Sequence, residues 1–170
     1  MGIFDLANYT FNLHSIPVSI VGWSILGIGI IALRRSSKSS IHRAFFALTF
    51  ATSWWLIGYG FIYNVINVPL AAFLVKFAWG GVALISPGVY AFTVTFLELP
   101  RAQWRIFWSY LLFLAFVFTI TFGLISKGVY QLPWFLYSGS GPLLPTFLIA
   151  FFLQMVLVFW FYVRALRDSA

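Results

Sequence analysis

Few side chains in this sequence can do chemistry, and the clearest is Lys76, a cation set inside a long apolar run from Leu70 to Leu97. An ionisable group at membrane depth is costly to keep, which makes it a functional suspect by default. Lys76 falls about two helical turns past Pro69, roughly 10 Å at a rise of about 1.5 Å per residue. Two readings stand. The ammonium snorkels to the nearby headgroups, or it faces a cavity and meets an anionic ligand or the ring of Phe73 or Trp79, both close to it on the helix surface. No acid lies at matching depth to neutralise it. Pro87, in the same run, removes a hydrogen bond to the Ala83 carbonyl and should kink the helix. Gly80, Gly81, Ser86 and Gly88 around it permit close helix packing. Pro87 is read as a packing device or, functionally, as a hinge. Lys76, Trp79, Pro87 and the loop residue Trp134 are the candidate ligand-binding set.

The remaining polar residues read as structural. Glu98 stands three residues before Arg101, a spacing that predicts an interfacial ion pair. Gln154, midway along an apolar run, should hydrogen-bond a neighbouring helix. Asn64 and Asn67 suit a turn. His14 and His42 fall on opposite sides of the membrane, which argues against a shared haem. The chain has no cysteine, no paired intramembrane carboxylates, and no HExxH or phosphate-loop motif, so neither catalysis nor a metal site is expected. No cofactor is assigned, although a bound lipid, carotenoid or quinone would suit so apolar a surface.

These residues are positioned by apolar runs long enough to cross a bilayer, which takes about 20 residues per helix. Five qualify: about 16–33, 44–63, 70–97, 106–125 and 143–163. The expected fold is therefore an all-α polytopic transmembrane bundle forming a single domain over residues 1–170. Of the 10 Lys and Arg residues, all but Lys76 and Lys127 sit in three stretches, Arg34 to Arg43, Arg101 to Arg105 and Arg164 to Arg167. Cationic loops resist translocation, which places these stretches in the cytoplasm, with the N-terminus outside and the C-terminus inside. The loop from Ser126 to Pro142, rich in Gly, Pro and aromatic residues, reads as an ordered outer lid or re-entrant rim. Residues Met1 to Ser15 read as an interfacial segment, with Phe4, Tyr9 and Phe11 in the headgroups, or as a partly ordered tail.

Composition agrees with a membrane location. The chain is 62% hydrophobic and 8% charged, too little polar surface to cover a soluble core. Its net charge of +7 flanks apolar spans, so contact with anionic headgroups is a better reading than nucleic acid.

Trp54-Trp55, the run Phe73-Leu74-Val75-Lys76-Phe77-Ala78-Trp79-Gly80-Gly81 continuing to Ser86-Pro87 and Phe92, and Gly141-Pro142 carry a resemblance. Together they resemble the N-terminal seven-helix membrane sensor region of bacterial histidine kinases and diguanylate cyclases, over nearly the whole chain but with about five of its seven helices. That resemblance implies a sensory, ligand-binding module with an outward recognition surface, joined to a cytoplasmic signalling domain, in a bacterial inner membrane. A second function competes: an accessory subunit of a photosynthetic or respiratory complex, packing its 21 Phe, 8 Trp and 8 Tyr against protein, lipid or pigment. A small transporter ranks last, because no polar pathway crosses the middle of the membrane.

Overall fold

The computed structural model describes residues 5–131 and 136–168. Five long helices account for most of them: α1 (Ser15–Arg35), α2 (Ser40–Ile62), α3 (Val68–Phe96), α4 (Ala102–Thr121) and α5 (Leu144–Asp168). Each is long and apolar enough to cross a membrane. Large apolar side chains on their outer faces are widely exposed, with Phe118 at 66%, Phe152 at 66% and Phe159 at 70%. Such surface is stable only in lipid or under another apolar partner, and the chain is an integral membrane helix bundle.

Helix α3 is the axis on which α2, α4 and α5 are built, and its contact with α2 is the most intimate. A Cβ on Gly81 would stand 2.7 Å from the backbone nitrogen of Trp55, so the two backbones touch and only glycine fits. The expected close packing around Gly80, Gly81 and Gly88 is observed. In lipid, where apolar burial gives helices little reason to associate, such close approach is a principal source of attraction. Helix α1 presents Gly22 and Gly29 to α2 in the same manner. Helix α5 is held differently, by side chains. Phe147 meets Trp79, Phe113 and Phe116 edge-on, with centroids 5.3–6.0 Å apart. Tyr90 of α3 meets Phe161 at 6.2 Å. Gln154 donates through Nε2 to Ser109 Oγ of α4, the interhelical bond its mid-span position calls for.

The helix ends follow local rules. Asn67 caps α3, its Oδ1 accepting from the Leu70 amide at 3.0 Å, with Pro69 in the first turn. Several ends depart from expectation: α2 begins at Ser40 rather than Ala44, α5 runs on to Asp168 rather than stopping at Val163, and α4 differs at both ends. Helix α4 begins at Ala102, four residues before the apolar run, because Gln103, Trp104 and Arg105 remain helical through the interfacial zone. It stops at Thr121 rather than running to Ile125. There Gly123 adopts a left-handed backbone, φ +72°, and its amide donates to Ile120 O while that of Leu124 donates to Thr119 O. This paired closure satisfies carbonyls the helix would leave open. Helix α3 closes the same way, with Glu98 (φ 51°) in the left-handed position and the amides of Glu98 and Leu99 donating to Thr95 O and Val94 O. The expected Glu98–Arg101 ion pair is absent: both residues have left-handed backbones, and the ion pair among the described residues joins Arg164 to Asp168.

The loop before α5 is an antiparallel hairpin, β1 (Ser126–Gln131) with β2 (Leu136–Ser140), in which Tyr130 pairs with Tyr137. The described part of the N-terminal segment, from Asp5 on, packs onto the bundle. A short 3-10 turn, Leu6–Asn8, leads to Tyr9, which bridges Val65, and the amide of Asn12 donates to Asn64 Oδ1 at 2.8 Å. Asn64 and Asn67 thus tie the segment over the α2–α3 turn, where Phe11 is exposed; Phe4 lies outside the described residues.

Candidate functional site

Because successive helices alternate in direction, the hairpin, Lys76 and the N-terminal segment share one end of the bundle, while the three basic stretches share the other. The hairpin end holds the densest polar contacts between distant parts of the chain. The Trp79 indole nitrogen donates to Ser138 Oγ at 3.0 Å, and Ser138 Oγ is 2.8 Å from Ser126 Oγ. Ser126 and Ser138 are both buried. A single side chain of α3 thereby fixes both strands of the hairpin. The Trp79 ring also packs edge-on to Phe147 at the start of α5, so it links three elements.

Lys76 lies one turn from Trp79 and donates through Nζ to the Thr121 carbonyl at 3.2 Å. Thr121 is the last residue of α4, where carbonyls lack intrahelical partners and the helix dipole is negative, so an ammonium is favoured there. The lysine therefore secures α4 to α3 at the base of the hairpin. Its partner is this carbonyl rather than the ring of Phe73 or Trp79, because the C-terminus of α4 brings an uncompensated acceptor within reach. The described cation–ring contacts lie at the opposite end, Arg105 over Phe161 at 5.8 Å and Arg164 over Trp160 at 5.6 Å.

Lys76 and Trp79 are thus brought together, and Pro87 is not. It lies eight residues further along α3, roughly 12 Å at the helical rise. It is fully buried in the bundle, beside Ser86, whose buried Oγ has no hydrogen-bond partner among the described residues. Pro87 can bear on the hairpin end only through the course of α3. Trp134 lies outside the described residues. Sequence reasoning missed Ser126 and Ser138, since serines in a Gly-rich loop carry no signal of burial. It also missed Phe147, one of 21 phenylalanines with nothing to single it out. The Gly139-Ser140-Gly141-Pro142 punctuation was the available hint of a tight return, and Gly141 does donate its amide to Ile125 O at 2.8 Å.

The site has tryptophan, serine, lysine and backbone carbonyl groups, which suit hydrogen bonding and ring stacking. Among the described residues no cluster of His, Asp or Glu could hold a metal ion. A search of curated proteins and a search of solved structures each returned no match. A family model described as the N-terminal 7TM region of histidine kinase matches residues 17–170, a range that takes in nearly all of the five helices and the hairpin. The chain belongs to that family, the N-terminal seven-transmembrane regions of histidine kinases.

Proposed function

We propose that the chain is the membrane sensory module of a histidine-kinase signalling protein, receiving its input at the hairpin end and passing it along α3 and α5 to a cytoplasmic signalling domain. The observation that carries this reading is Trp79, which joins the hairpin through Ser138, α5 through Phe147 and the body of α3 in one residue. A ligand that moves the hairpin must break or reorient that joint, and a ligand shifts an equilibrium only through such differential contacts. Lys76 supplies positive charge at the same end. Pro87 is where α3 bends in response, and Trp134 completes the recognition surface. Charge bias directs the basic end to the cytoplasm and the hairpin outward, in a bacterial inner membrane.

The test is a chimera in which α5 continues into a histidine-kinase catalytic region. Trp79→Phe and Ser138→Ala are expected to shift basal autophosphorylation several-fold, while Trp104→Phe, at the far end, leaves it unchanged. Equal activity in all of these proteins would sink the reading. The accessory-subunit reading is favoured by one observation, the uncovered faces of α4 and α5. A native complex in which this chain is stoichiometric, without a kinase region, would support it instead.

A further inference from the structure

At the basic end, residues of α2, α3 and α4 line a cleft of about 650 Å³. Ala47 of α2, Ala91 of α3, and Ile106 and Tyr110 of α4 form its walls, and Arg43 and Glu98 also line it. Small side chains leave the space open, and apolar ones predominate in its lining. The two opposite charges are paired neither with each other nor with a third group, since the ion pair among the described residues is Arg164–Asp168. An anion alone would leave Glu98 facing it, and a cation alone would leave Arg43. Glu98 also occupies a left-handed backbone, φ 51°, where a side chain costs about 1 kcal/mol and glycine would sit without strain. Strain held at the mouth of a cleft points to a use for the side chain that bears it.

We infer that this cleft binds a phospholipid whose headgroup carries both a phosphodiester and a primary ammonium, of the phosphatidylethanolamine kind. The phosphodiester goes to Arg43, and the ammonium, with three donors, goes to Glu98. The start of an acyl chain lies along Ala47, Ala91 and Ile106. A cleft of this volume is in the range that encloses a small molecule, so it holds a headgroup and the first part of a chain rather than a whole lipid. A choline headgroup lacks the N–H donors that Glu98 requires. A glycerol headgroup lacks the cation.

The experiment uses the whole chain in phosphatidylcholine nanodiscs carrying trace amounts of acyl-spin-labelled phosphatidylethanolamine, phosphatidylglycerol or phosphatidylcholine. The immobilised fraction of each label is read by electron spin resonance. The expected result is a preference for the ethanolamine lipid of about fivefold over both others, as one charge-assisted contact predicts for partly exposed groups. Glu98→Gln is expected to abolish the preference over phosphatidylglycerol, and Arg43→Gln to weaken ethanolamine-lipid binding by a similar factor. Ala47→Phe, which fills the cleft, should remove the immobilised class, and circular dichroism checks that each variant is folded. Equal immobilisation of all three labels by the wild type means an ordinary lipid annulus and overturns the inference. A Glu98→Gln protein that keeps the ethanolamine preference overturns it as well. Displacement of the label by soluble glycerophosphoethanolamine would identify a water-borne ligand and overturn the lipid assignment.

Discussion

Helices α3 and α4 end with the same pair of backbone hydrogen bonds, yet one closure is made with Glu98 and the other with Gly123. At the hairpin end the residue is the one that the left-handed backbone favours, and what surrounds it is closed. Lys76 holds the last carbonyl of α4, and Trp79, Ser126 and Ser138 bind the strands that follow. At the basic end the residue opposes its backbone, its carboxylate has no ion-pair partner among the described residues, and an open cleft lies beside it. The contrast separates two uses of one motif. Gly123 serves the fold, whereas Glu98 holds a charge at a position where the fold alone would favour glycine.

The contrast breaks first, and hardest, if the α2–α3 contact that spans both ends is forced apart. Gly81→Val is expected to destabilise the bundle by about 3 kcal/mol, because its side chain meets the Trp55 backbone and nothing soft can yield. Thermal unfolding in detergent measures this, and a drop no larger than that of a lipid-facing substitution would show that the helices separate easily. Next in size is Ser138→Ala, which leaves the Trp79 indole nitrogen without its acceptor and is expected to cost about 2 kcal/mol. Hydrogen exchange should then quicken in the amides of the hairpin and not in those near Glu98. Uniform quickening would mean the two ends are not independent.

Glu98→Gly sharpens the comparison with an opposite sign, since relief of the left-handed strain is expected to stabilise α3 by about 1 kcal/mol. A loss of stability would show that the carboxylate already has a folding role. Gln154→Leu is expected to cost the least, about 0.6 kcal/mol, as interhelical hydrogen bonds in membranes average. A cost several times larger would make α5 as firmly held as α2.

The architecture was legible in the sequence because its main signals are long and redundant. Five apolar runs separated by cationic or Pro-containing breaks leave few alternatives to five spans, and the family resemblance rested on residues of α3 that prove central. Gln154 reached a polar partner on α4 because an amide in mid-membrane must find one. Terminal geometry was less visible. The continuation of α4 back to Ala102 runs through polar residues that hydropathy assigns to a loop, and the hairpin alternates too weakly to read as strands. The candidate site was half legible. Lys76 and Trp79 stood out by charge and size, whereas the serines that give Trp79 its role are common residues whose burial only the folded chain decides. The Glu98–Arg101 pairing failed for a physical reason: the spacing rule presumes a continuing helix, and α3 has already turned left-handed at Glu98.

The glycine at position 81 has a mechanical consequence. Two helices in backbone contact cannot slide past one another without lifting a side chain over a peptide group, so α2 and α3 form a stator. Helix α5 rests on α3 through rotatable rings, Phe147 and Phe161, and on α4 through one amide, Gln154, and these contacts can exchange partners in small steps. Under the push at the hairpin that the proposed function calls for, α5 rather than α2 is the helix free to give way.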